Sequence, residues 1–315
     1  MARTMTVRHE LPLRVRLIKD IRKNYPLYLL ALPAIVMIFL LSYVPMYGVL
    51  MAFQDFRPVR GILGSDWVGL ENFRRFFNSY QCADIISNTV TQSLMNLVCT
   101  FPMPILLALM LNQIHRPMIK KGIQTLVYLP HFIATVVLVS MINVLFSPSM
   151  GVFGAVCRML GVANPPDLMA MSSAFRPMFI GASIWQNAGW DSIIYIAALT
   201  SIDPSLYEAA TVDGATKVQR VWHIDLPSIL PTMVTLLIMR AGSIMNVNFD
   251  RAYLLQNDLN IGVSEIISTY EYKLGIKQGQ YGYSAAIGLF NNIVNLILLV
   301  IVNKASKKLS GTGLW

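Results

Sequence analysis

The chain has 315 residues, of which 55% are hydrophobic and only 13% charged, and its mean hydropathy is +0.55. That balance excludes an ordinary soluble domain and points to a polytopic membrane protein surrounded by lipid. The net charge of +9 implies no nucleic acid, because no basic helix or aromatic-interleaved patch stands apart from the apolar segments.

Residues 1–24 carry seven basic side chains (Arg3, Arg8, Arg14, Arg16, Lys19, Arg22, Lys23) against Glu10 and Asp20, with Leu13, Leu17 and Ile21 every four residues. This predicts a basic amphipathic helix on the inner membrane surface. A secretory signal is excluded, since the following apolar run is too long for a signal core and has no small-residue cleavage site.

A bilayer-crossing helix needs about 20 apolar residues. Six segments qualify, at roughly 27–53, 85–111, 122–146, 177–200, 229–250 and 282–303. Pro33, Pro45, Pro102 and Pro104 predict kinks, which neighbouring helices can accommodate. With the N-terminus inside, fifteen basic residues fall on inner segments and nine on outer ones. By the positive-inside rule both termini are then cytoplasmic, and so is the polar interruption from Glu208 to Pro231.

That interruption reads EAATVDGATKVQRVWHIDLPSILP. Asp203-Pro204 is a helix start, the carboxylate capping free N–H groups and the proline accepting the first helical position. The pattern predicts a short helix from Pro204 to about Val212, ended by Asp213-Gly214 because glycine accepts the left-handed conformation. Val218, Val221 and Trp222 predict a second short helix that Leu226-Pro227 breaks. Local chemistry alone leaves two readings: an ordinary solvated loop, or a docking elbow in which Ala209 and Ala210 give a low profile and Glu208 a charge.

Glu208-Ala209-Ala210, then Gly214, then nine residues and Ile224-Asp225-Leu226-Pro227, resembles the EAA signature of ABC-importer permease subunits. The stretches LSYVPMYGVLMAFQDF and DFRPVRGILGSDWVGLENFRRFF are similar to the branch of that family that imports oligosaccharides. Val221 departs from the pattern, where many relatives carry an aromatic beside the tryptophan. The resemblance implies an all-α membrane protein of the type I ABC-importer permease fold: six transmembrane helices in residues 25–305, a cytoplasmic coupling helix within a loop at 203–231, and a cytoplasmic tail at 306–315. It implies that Glu208, Ala209, Ala210, Asp213, Gly214, Ile224, Leu226 and Pro227 couple to an ATPase. It also implies the partners: a second, distinct permease, two ATP-binding subunits holding ATP and Mg, and an extracellular solute-binding protein, in a bacterial inner membrane. No cofactor is implied for this chain itself.

Polar residues inside membrane helices face a cavity or a partner, because exposing a charge to lipid costs about 2.5–3.5 kcal/mol on insertion scales. Ser183, Asn187, Trp190 and Asp191 share one face of the fourth predicted span, and Arg240, Ser243, Asn246 and Asp250 one face of the fifth. Ser284, Gly288, Asn291, Asn292 and Asn295 form a stripe on the sixth. Amides and carboxylates beside aromatic faces suit a sugar pathway, and Ser183, Asn187, Trp190, Asp191, Arg240, Asn246, Asp250 and Asn292 are its candidate residues. Interhelical hydrogen bonding explains the same stripes without a substrate, and Asp191 and Arg240 could simply pair.

Catalytic motifs are missing. No Gly-Lys pair exists to build a phosphate loop, and neither HExxH nor a nucleophile elbow occurs. Three widely spaced cysteines and four scattered histidines give no disulfide framework and no metal site. The chain is therefore expected to be a transport subunit with ATP hydrolysis on a separate partner. The alternative is an ion-coupled secondary transporter using Asp191 and Arg240, and a purely structural subunit ranks last.

Overall fold

The computed structural model describes residues 13–311, 313 and 314. The first half of the amphipathic helix expected over residues 1–24, residues 1–12, lies outside them. Apart from one short antiparallel pair, Gln54–Asp55 with Asp66–Trp67, the regular elements among the described residues are helices.

The first, α1 (Ile21–Phe53), is largely apolar beyond Arg22, Lys23 and Asn24 and packs little of its length against the rest of the chain. A wide π-turn at Phe39–Tyr43 precedes Pro45, with the Val44 N–H bonded to the Phe39 carbonyl. The extra residue in that turn relieves the clash that proline brings to a regular helix. A short amphipathic helix, α2 (Glu71–Phe77), buries Phe76. The second long helix, α3 (Cys82–Asn112), continues through Pro102 and Pro104.

The third predicted span, 122–146, is not a single straight helix. It consists of α4 (Pro117–Phe132) and α5 (Thr135–Leu145), bent by 97° at the break. Pro130 lies in the 3-10 turn Leu129–Phe132 before the break, and at the break the Ile133 carbonyl accepts from Gln186 Nε2 at 2.7 Å.

The centre of the bundle is α6 (Ser172–Thr200), which packs against α3, α4 and the later helix Leu226–Ala241. Its 29 residues reach about 43 Å at 1.5 Å per residue, long enough for a bilayer. It nevertheless falls outside the four helices that are both long and apolar enough to cross. Polar residues along it, among them Ser183, Gln186, Asn187, Asp191 and Ser192, make it less apolar, and Ser183, Gln186 and Ser192 are buried inside the protein.

The fifth predicted span, 229–250, is also corrected at both ends. The helix α8 runs unbroken from Lys217 to Ala241, so Leu226-Pro227 does not end the second elbow helix. A π-turn at Val221–Asp225 again precedes the proline, with the Leu226 N–H on the Val221 carbonyl. Beyond Ala241 the chain turns, tied by Met245 N–H to Asn295 Oδ1 at 3.0 Å. It then forms α9 (Phe249–Leu255) and α10 (Ile267–Tyr272) before the last long helix, α11 (Tyr281–Ser310).

Three buried clusters hold this arrangement. Phe76, Ile85, Tyr283 and Ile287 join α2, α3 and α11. Leu138, Phe179 and Ala252 join α5, α6 and α9. Ile105, Leu199 and Ile229 join α3, α6 and α8. Among the described residues, four helices are long and apolar enough to cross a membrane, or five if the bent pair is one span.

Candidate functional site

The elbow forms as the residues dictate. Helix α7 (Pro204–Val212) starts at Asp203, whose carboxylate accepts the Ser205 N–H at 2.9 Å, a bond that holds the Asp203 carboxyl below the usual carboxylate range. It ends in a Schellman motif. Gly214 N–H bonds the Thr211 carbonyl at 3.1 Å and Ala215 N–H the Ala210 carbonyl at 2.8 Å, with Gly214 at φ +74°. Thr216 then opens α8 with a capping box, which the sequence reading missed although Thr216 and Gln219 carry its spacing. The Gln219 side chain accepts the Thr216 N–H at 2.8 Å while Thr216 Oγ1 accepts the Gln219 N–H.

Glu208, Ala209, Asp213, Gly214 and Pro227 are exposed, Ala210 and Ile224 half-buried, and Leu226 is anchored in the core cluster joining α3, α6 and α8. Leu206, Val212, Val218 and Trp222 leave large apolar side chains exposed on the elbow. Beneath it Asp225, fully buried, accepts from Tyr207 Oη at 2.5 Å and Gln113 Nε2 at 3.2 Å. Burial, reinforced by that carboxylate, pushes the Tyr207 phenol up to about 12. This clasp ties the elbow to the end of α3.

Further along α8, Arg240 donates to Asp191 Oδ2 at 2.5 Å and to Thr100 Oγ1 at 3.4 Å. The Asp191–Arg240 pair considered from sequence therefore forms, with both side chains about one-third exposed. It borders two adjoining polar cavities. One, of about 230 Å³, is lined by Asn96, Thr100, Ser183, Asn187, Asp191 and Arg240. The other, of about 200 Å³, is lined by Ser93, Asn96, Thr100, Arg240, Asn246 and Asn248 among others.

Trp190 stands beside them, its ring stacked on His131 at 4.6 Å, and His131 Nδ1 lies 3.1 Å from Asn187 Oδ1. Asn246 Oδ1 accepts from Asn291 at 2.7 Å and Asn295 at 3.2 Å. Asn292, a helical step of 100° away, is exposed outside both cavities, and so is Asp250 in the first turn of α9. The fifth stripe does not share one helical face, because the helix ends at Ala241. Ser93, Asn96 and Thr100 were not singled out from sequence, although their recurrence at three and four residues along α3 is the signal that finds them.

Membrane-crossing helices, polar cavities turned into the bundle and an exposed self-capped elbow together define a membrane subunit for solute transport. The chain belongs to the family of binding-protein-dependent transport system inner membrane components, whose family model matches residues 100–311. It is accordingly a permease subunit of an ABC importer, a transport component and not an enzyme. It is 43% identical to the polygalacturonan/rhamnogalacturonan transport system permease protein YteP of Bacillus subtilis, over 95% of this chain and 92% of the relative. It is 39% identical to protein LplB of the same organism, over 94% and 92%. Among solved structures it resembles a chain of a bacterial ABC transporter for import of the acidic polysaccharide alginate, with a TM-score of 0.86, 39% identity and coverage of 94% and 99%. That transporter has also been solved with an alginate pentasaccharide-bound periplasmic protein. None of these relatives favours the ion-coupled alternative.

Proposed function

We propose that the chain has six spans, namely α1, α3, the bent pair α4 and α5, α6, α8 and α11, and that α7 is its coupling helix. Both termini and the elbow then lie on the cytoplasmic side of a bacterial inner membrane. Residues 1–24 lie on the membrane surface, 25–305 form the permease domain with its coupling loop at 203–231, and 306–315 are a tail. Glu208, Ala209, Ala210, Asp213 and Gly214, with the exposed Val212 and Trp222, meet an ATP-binding subunit, while Ile224, Leu226 and Pro227 set the elbow on the core. Two such subunits, carrying ATP and Mg, a second and distinct permease, and an extracellular solute-binding protein complete the assembly. The cargo is an oligosaccharide, and the names of the relatives, which carry polygalacturonan, rhamnogalacturonan and alginate, favour an acidic one. Ser183, Asn187, Trp190, Asp191, Arg240 and Asn246 line its route, with Asp250 and Asn292 outside it.

The observation that carries this reading is the unbroken course of α8 from the elbow at Lys217 to the cavity at Arg240. A displacement imposed on the elbow by closing ATPases is passed along one helix to the polar pair, so no separate relay is required. The test is purification of the tagged chain from its native membrane in mild detergent, with and without Glu208→Ala. An ATP-binding subunit and a second permease should co-purify, and the substitution should weaken that association or the substrate-stimulated ATPase. A chain that emerges alone and transports on an ion gradient without ATP overturns the reading.

A further inference from the structure

A third cavity, of about 430 Å³, is lined in part by Phe249, which follows in sequence the Asn248 that lines the second polar cavity. Its size falls in the ordinary range for ligand pockets. The walls combine Phe249, Tyr272 and Tyr281 with Ser268, Ser284 and Glu271. Glu271 is the unusual member. Among the described residues no side chain hydrogen-bonds to its carboxyl and no basic group pairs with it. The carboxyl is seated against bare backbone of α11, where a Cβ at Gly288 would overlap it.

Ser284 does not satisfy that carboxyl, because its hydroxyl donates to the Glu271 backbone carbonyl at 2.9 Å. Ser268 Oγ is buried with no partner in the chain. The Glu271 carboxyl, half-buried and unbonded within the chain, keeps its hydrogen-bonding capacity for what enters the cavity. Burial pushes the Glu271 carboxyl up to about 7, so near neutral pH it can accept or donate. Hydroxyl-rich rings meet such a group through paired hydrogen bonds and lay their apolar faces on aromatic side chains.

We propose that this cavity is an outer subsite for one pyranose ring of the transported oligosaccharide, held by Glu271 and flanked by Tyr272. It rests on the oligosaccharide-importer reading above. The three cavities would then form a row from Asp191 to Glu271, taking successive rings of one extended chain. A short saccharide fills the two inner cavities alone, and a longer one also needs the outer.

The test uses the complete importer in proteoliposomes with its binding protein, offered oligogalacturonides and oligoalginates of two to five residues. Glu271→Leu should raise KM at least tenfold for the longer members and leave the shortest within about twofold. Glu271→Gln, which still bonds hydroxyls, should stay near wild type throughout. Basal ATPase and the thermal midpoint should be unchanged in both, which separates a ligand contact from a packing role. Equal uptake by Glu271→Leu at every length, or a loss equal at every length with a lowered midpoint, overturns the subsite alone. Wild-type importer that takes up none of the series overturns the oligosaccharide reading and the subsite together.

Discussion

The elbow and the cavities treat their polar groups in opposite ways. From Asp203 to Asp225 the polar side chains that touch the fold are matched within the chain: an N-cap, a Schellman closure, a capping box and a buried carboxylate with two donors. Around the cavities, Ser93 Oγ, Asn96 Oδ1, Ser268 Oγ and Asn291 Oδ1 are buried and have no partner. A lever must hold one shape under load, which internal hydrogen bonds provide. A passage must offer hydrogen bonds to whatever moves through it, which requires leaving some unmade. The contrast predicts that substitutions in the elbow cost stability, whereas those in the cavity cost transport at little cost in stability.

The largest effect belongs to Asp225→Ala. It strands the Tyr207 hydroxyl and the Gln113 amide and opens a gap under the elbow, at a cost of roughly 2–4 kcal/mol. The thermal midpoint of the purified complex should fall clearly, and Asp225→Asn should recover much of the loss because an amide oxygen still accepts from Tyr207. Next comes Gly214→Val. A β-branched residue at φ +74° is strained by about 1–2 kcal/mol, and relieving that strain re-aims α7 against its partner. ATP hydrolysis measured against uptake in vesicles should become uncoupled, with membrane insertion normal. Thr216→Ala removes one side of the capping box and should cost about 1 kcal/mol, visible as faster amide exchange at the start of α8 and little change in transport.

The same division governs what could be read from the chain alone. The elbow was legible because capping and termination are local: Asp203, Pro204 and Gly214 each state a backbone preference within a few residues. The break at Leu226-Pro227 was misjudged for a tertiary reason, since a π-turn over Val221–Asp225 lets the helix pass a proline that the one-dimensional rule treats as a stop. The turn at Leu129–Phe132 gave the opposite error, breaking a segment that hydropathy alone reads as continuous, while Gln186 from α6 satisfies the Ile133 carbonyl at the break. Of the polar stripes, the face of α6 was legible from the 100° period and places Ser183, Asn187 and Asp191 together. The choice of Asn292 over Asn291 and Asn295 needed to know which side of α11 meets Asn246. Asn96 went unnoticed although Ser93 and Thr100 share its face of α3, and Glu271 because a single polar residue in a short helix carries no periodic signal until neighbours enclose it.

Asn96 gives the sharpest test of the contrast, with the smallest expected change in stability. It lines both inner cavities, and its side chain makes no hydrogen bond within the chain. Leucine has nearly the same volume, so Asn96→Leu leaves no void, removes no internal bond and spares the helix an unpaired buried amide. Stability, followed by the thermal midpoint, should stay within about 0.5 kcal/mol of wild type or rise slightly. If the amide exists to meet passing hydroxyl groups, uptake should fall about tenfold, with KM and turnover both affected and the ATPase association intact. A clear loss of stability would instead place Asn96 among the groups that hold the bundle together, and unchanged uptake would take the inner cavities off the route. Either result would erase the distinction between a matched lever and an unmatched passage, because the two regions would then obey one rule.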